Sequence, residues 1–141
     1  MKTELLILEQ LKAFLASNLS AHIETREDIS IPEIDAGNIE IDYPDPDSMV
    51  ESTMFYVVPE NVNYSPVTYS SEEAQFEITI YILCKKEKRE TLIKLIFAYF
   101  DALYSCIKSD PSLGAFVDNT NLISQVFYPA VEASKTKVEI S

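Results

Sequence analysis

Residues 74–85, AQFEITIYILCK, alternate so regularly that they leave the fold few choices. Phe76, Ile78, Ile80, Ile82 and Cys84 fall on one side of an extended chain, and Gln75, Glu77, Thr79, Tyr81 and Leu83 on the other. Side chains alternate across a strand with a period of two, so the first set needs a buried layer opposite it. The second set grows less polar towards its end, which predicts that something covers that end.

The strand runs through KKEKRE into a helix predicted over about residues 88–108. Leu92, Ile96, Tyr99, Phe100, Leu103 and Ile107 form one apolar stripe, flanked by Ile93, Phe97 and Tyr104; Glu90, Lys94, Asp101, Ser105 and Lys108 leave a narrow polar side. Such a stripe is wider than a single packing face requires. The helix is therefore expected on a sheet and against something else, with a neighbouring subunit as one candidate. Pro111 ends it, because proline disfavours α geometry at the preceding residue.

The remaining elements follow from periodicity. Leu5, Leu8, Leu11, Leu15 and Leu19 recur at steps of three and four and predict a helix over 3–19, with Thr3 as N-cap. Ile39, Ile41 and Tyr43 alternate with Glu40 and Asp42, a strand broken by DYPDPDS. TMFYVVPEN, 53–61, is a strand ending at Pro59, and NYSPVTYSSEE is an exposed connection or hairpin arm. LISQVFYPAV, 122–131, and KTKVEIS, 135–141, are strands joined by EASK. The order α-β-β-β-α-β-β predicts a single α+β domain over 1–141, an antiparallel sheet of about four to five strands with two main helices on one face.

Charge narrows the partners. Eleven basic against 23 acidic residues give a net charge of −12. Phosphate recognition needs clustered Lys and Arg, so sequence-specific nucleic acid is not expected as a partner, nor is an anionic membrane. The apolar run Thr91–Ile107 is interrupted by Lys94 and Asp101 and is shorter than the roughly 20 residues of a span. Glu4 and Glu9 stand where a secretory leader would be basic, so Cys84 and Cys106 are expected as buried free thiols.

Catalytic patterns are sparse. His22 is the single histidine and has no cysteine at metal-ligand spacing. With only Gly37 and Gly114, neither a phosphate-cradling loop nor a nucleophile elbow can form. Ten acidic residues and one basic residue lie between Glu24 and Glu51, among them Asp42, Asp45, Asp47 and Glu51. Their oxygens suit Ca²⁺ or Mg²⁺, but prolines intervene and no glycine sits at the sixth position of an EF-hand loop. A solvated acidic loop is the plainer reading. Lys85, Lys86, Lys88 and Arg89 form the main basic cluster, without an aromatic platform for nucleic acid. No catalytic residue, metal or cofactor is expected.

After the second helix comes DPSLGAFVD, followed by FYPAV and a closing strand. With the N-terminal helix, the variable β region and the strand running straight into a long apolar helix, this segment resembles the phage or prophage tail terminator family, also called tail completion or minor tail proteins. Asp110, Ser112, Leu113, Gly114 and Val117 match the family's segment, and Ala115 stands in place of its second glycine. The resemblance implies a structural protein, not an enzyme. Its subunits would form a ring, usually hexameric, that terminates the tail tube and prepares it for head joining. The implied partners are further copies of itself, the tail-tube protein and a head-completion protein. The implied locations are the bacterial cytoplasm during assembly and the virion tail. Another head–tail connector or neck protein, or an unrelated cytosolic α+β protein-binding module, is the alternative. Lys85, Lys86, Lys88, Arg89, Phe97 and Tyr104 are then candidate subunit-interface residues. Asp42, Asp45, Asp47 and Glu51 are candidates for an acidic lumen or for an interface loop facing the basic cluster of a neighbour.

Overall fold

The computed structural model of the chain describes residues 4–24, 27–42, 53–68, 71–84, 89–128 and 133–140. Helix α1 spans Glu4–Asn18. Leu8, Leu11, Leu15 and Leu19 are buried as their spacing requires, with Ile7 and Phe14 beside them. Leu5, expected in the same stripe, is 57% exposed, so the stripe meets the body of the protein only from Ile7 onward. A 3-10 turn, Leu19–His22, continues the helix. The Ser20 hydroxyl donates to the Ile34 carbonyl and accepts from the Ile34 N–H, both at 2.9 Å, fixing the returning chain.

Strand β1 is Ile39–Glu40, β2 is Met54–Thr68 and β3 is Ser71–Leu83. Helix α2 is Arg89–Ser109, β4 is Thr120–Tyr128 and β5 is Ala133–Ile140. The sheet order is β1-β2-β3-β5-β4. Four strands are antiparallel, but β1 pairs parallel with β2, so the sheet is mixed and not purely antiparallel. Among the described residues of the acidic stretch, Ile39 and Glu40 form this strand, and Tyr43, expected to continue the alternation, lies outside the described residues.

β2 outruns the expected stop at Pro59. Proline is tolerated there because a bulge falls between Pro59 and Asn61 and β1 occupies the neighbouring edge only at Phe55 and Tyr56. β5 likewise begins at Ala133, inside the expected connection EASK.

Both helices lie on one face. Phe76, Ile78, Ile80, Ile82 and Cys84 share one buried cluster with Phe55, Val57, Val138, Ile140 and the apolar stripes of α1 and α2. The opposite face of the sheet carries a smaller cluster, Tyr56 and Leu83 with Met54 and Tyr81, at the end the sequence marks as less polar. The Lys135 ammonium lies 5.9 Å from the centre of the Tyr81 ring.

The wide stripe of α2 finds its second partner within the chain. One side packs on β4 and β5, and another meets the 3-10 turn Leu19–His22. The Tyr99 hydroxyl donates to the Pro32 carbonyl at 2.8 Å, Tyr99 stands edge-on to Phe55, and Lys94 pairs with Asp28 at 2.7 Å. No neighbouring subunit is needed to explain the burial of the main stripe.

Candidate functional site

The segment after α2 is a built turn. Leu113, Gly114 and Ala115 have φ of +52°, +77° and +62°, three successive residues in left-handed geometry. For an L-residue this geometry costs roughly 1–2 kcal/mol, and only glycine escapes it. Side-chain bonds hold the turn. The Asp110 carboxylate accepts from the Ser112 hydroxyl at 2.5 Å, the Ser112 N–H at 3.2 Å and the Gly114 N–H at 2.9 Å. The Ser112 hydroxyl oxygen accepts from the Ala115 N–H at 3.0 Å. The Phe116 and Val117 N–H groups donate to the Ser112 carbonyl.

These bonds hold the Asp110 carboxyl below its ordinary range, chiefly through the Ser112 hydroxyl and then through the Gly114 N–H. Leu113 is fully buried, and Phe116 and Val117 pack partly against the core. The N–H groups of Ser112 and Gly114 are taken up by the protein's own carboxylate, so they are not offered to an external anion. The turn is therefore a rigid shaping element in which each family-like position has a physical role. Asp110 and Ser112 cap, Leu113 plugs, Gly114 turns and Val117 packs.

Of the candidate interface residues, Phe97 and Tyr104 are each 49% exposed on the outer side of α2. Phe97 stands edge-on to Phe100 at 6.0 Å, and the Lys108 ammonium lies 5.7 Å from the Tyr104 ring centre. Asp101 lies between the two aromatics on the same side and is exposed. Lys85, Lys86, Lys88 and the Arg89 side chain lie outside the described residues, as do Asp45, Asp47 and Glu51. Asp42 is described and exposed. The structure therefore places Phe97 and Tyr104 on one exposed side of α2 and leaves the charge pairing between basic cluster and acidic loop as a proposal.

A feature that sequence reasoning left half open is the hairpin arm. β5 pairs with β3 only as far as Phe76, opposite Ile140. Beyond it, among the described residues, β2 and β3 pair with one another alone, from Asn63–Gln75 to Thr68–Ser71. At about 3.3 Å per residue the five unflanked residues of β3 reach roughly 17 Å past the sheet. Val62 and Ala74 anchor the base on the core, while Tyr64 is 57% exposed. Val62 and Tyr64 alternate with Asn61 and Asn63, a signal of continuing strand that Pro59 obscured.

Among the described residues, the histidine and the two thiols are the groups to weigh for chemistry. His22 Nε2 lies 3.5 Å from the Ser109 hydroxyl, but that hydroxyl donates to the Cys106 carbonyl at 2.7 Å. The Ser109 proton is thus already engaged by the backbone. Cys84 and Cys106 are buried free thiols, and burial pushes Cys106 up to about 11, which holds it as the unreactive thiol. A cleft of about 340 Å³ is lined by Ser20, Glu24, Ile29 and Glu33 among others, and the Ser20 hydroxyl is occupied by Ile34. Among the described residues no group of three or more His, Cys, Asp or Glu is placed to hold a metal ion, and no described helix is long and apolar enough to cross a membrane.

No family model matches the sequence, and no curated protein matches it. Among solved structures the fold is similar to the sheath/tube terminator of an extracellular contractile injection system, PVC, determined in the extended state by cryo-electron microscopy. The TM-score is 0.54 at 12% sequence identity, over 99% of this chain and 56% of the other. The chain thus spans little more than half the length of the terminator it resembles.

Proposed function

We propose that this chain is a structural subunit that ends the tube of a phage tail or of a related injection apparatus. The observation that carries the proposal is the fold likeness to a sheath/tube terminator over essentially the whole of this chain. It agrees with the independent pointer from DPSLGAFVD, whose capped turn gives each family-like position a physical role.

In this reading the subunits assemble into a ring, with six copies as the family's usual number, on the last ring of the tail-tube protein. The exposed side then accepts a head-completion protein or its counterpart. A net charge of −12 suits a ring through which nucleic acid passes without being gripped, because acidic walls repel phosphate. The work of the protein is shape and contact, not bond chemistry. It would be done in the bacterial cytoplasm during assembly and then in the finished tail.

Light scattering over a range of concentrations, with negative-stain imaging of the same samples, tests the ring. Ring-shaped particles of one size, alone or once the cognate tube protein is added, are expected. Monomers under both conditions would contradict the proposal.

A further inference from the structure

The arm and the outer side of α2 are two different surfaces, each with half-exposed aromatic rings. Tyr64 is 57% exposed on the arm, and Phe97 and Tyr104 are each 49% exposed on the helix. Tyr104 lies seven positions beyond Phe97 along the helix, roughly 10.5 Å along the axis at 1.5 Å per residue. Aromatic rings pack with centroids about 4.5–7 Å apart, so this gap admits one further ring touching both. Asp101 lies in the gap, and its carboxylate can accept from a phenol hydroxyl.

We propose that Tyr64 of one copy seats between Phe97 and Tyr104 of a second copy, its hydroxyl donating to Asp101. The proposal rests on the assembly reading above and names the surfaces that would carry it. Three features favour a second copy as the occupant. The first is fit, since the ring and hydroxyl of Tyr64 match the gap and the carboxylate. The second is charge. The sequence from Glu60 to Gln75 holds three glutamates and no lysine or arginine, and the Lys108 ammonium stands beside the Tyr104 ring on the helix. The third is area. Three half-exposed aromatics offer roughly 300 Å² together, well short of the roughly 800 Å² per partner of a stable interface. A two-stranded ribbon laid along α2 contributes more surface, and a lone ribbon is itself only marginally stable in water. Because the two surfaces differ, the contact is head-to-tail, the kind that closes into rings when the rotation permits.

The test compares the wild type with Tyr64→Glu and Phe97→Glu by sedimentation velocity. Circular dichroism on the same samples confirms folding, which substitution of two exposed side chains should leave intact. Concentration-dependent assembly of the wild type, weakened about tenfold or more in each variant, is expected for residues at the centre of a contact. Separately, Tyr64→Cys and Tyr104→Cys proteins are mixed with a short bismaleimide. The native thiols are buried, so a cross-linked dimer is expected in the mixture and not with either protein alone. Assembly unchanged in both glutamate variants would overturn this contact and leave the ring reading standing. A wild type that stays monomeric at all concentrations would overturn the contact and count against the ring as well. Cross-linking of Tyr64→Cys to itself would overturn the head-to-tail arrangement.

Discussion

The Gln10 side-chain amide donates to the Leu113 carbonyl at 2.8 Å, tying α1 to the strained turn across 103 residues of sequence. The carbonyl it binds belongs to a fully buried leucine in left-handed geometry. The contact therefore joins the first helix, the core and the turn at one point. Gln10→Ala should lower stability by about 1 kcal/mol, the net worth of a partly buried hydrogen bond, in urea denaturation. Leu113→Ala should cost about 2–5 kcal/mol, because it empties a core site as well. Equal effects of the two substitutions would show that Leu113 is not a plug.

Ala115 departs from the family-like segment, and its φ of +62° gives that departure a physical meaning. Ala115→Gly should stabilise the protein by roughly 1 kcal/mol, since relief of left-handed strain exceeds the extra chain entropy of glycine. Gly114→Ala should destabilise by a similar amount. A Cβ there would meet only the Gln10 amide nitrogen at 3.6 Å, so the cost comes from the backbone and not from a clash. Opposite signs for the two substitutions in thermal or urea unfolding are the expected result.

Asp110 supplies a pH dependence. Its carboxyl is held low in the fold, so the unfolded chain binds the proton more readily than the native one does. Its stabilisation is fully present above the unfolded carboxylate value near 4 and is lost as pH falls through the lower native value. Asp110→Asn should therefore melt at a lower temperature than the wild type at neutral pH, and the gap should close as the solution becomes acidic. Parallel melting curves across that range would show that Asp110 does not hold the turn.

Tyr99 works at the opposite end of the scale. Burial pushes its phenol up to about 12, with the Cys84 charge adding to the rise and a hydrogen bond with Thr53 opposing it. A raised native value favours the neutral phenol in the fold. That stabilisation is fully present below the unfolded value near 10 and is lost as pH rises through about 12. Absorbance titration should show one tyrosine ionising only with alkaline unfolding, and Tyr99→Phe should abolish that late step. The same variant should lose about 1 kcal/mol at neutral pH with the bond to Pro32.

How much the sequence revealed depended on whether burial or pairing decided the outcome. The alternation of Phe76 to Cys84 and the stripe from Leu92 to Ile107 were legible because a buried face leaves a period. The extent of β2 was not, because a proline usually ends a strand, and the bulge after Pro59 and the shortness of β1 beside it are what make it tolerable. The parallel pairing of Ile39 and Glu40 with Phe55 and Tyr56 has no local signature, since two residues cannot show a period. In the candidate site, Phe97 and Tyr104 stood out as apolar residues flanking a stripe that was already full. Tyr64 did not, because its alternation with Asn61, Val62 and Asn63 follows a proline, and NYSPVTYSSEE reads equally as a connection or an arm until its partner strand is known. The left-handed turn was half legible: Gly114 announced it, but Leu113 and Ala115 adopt it against their own preference, through bonds that only folding supplies.

The most direct test of a tube-ending role is the length distribution of tubes polymerised from the cognate tail-tube protein, imaged by electron microscopy with and without this chain. Shorter tubes bearing one extra ring of density at a single end, and no further growth from that end, are the expected result. Tubes of unchanged length with bare ends at saturating concentrations of the chain would contradict it.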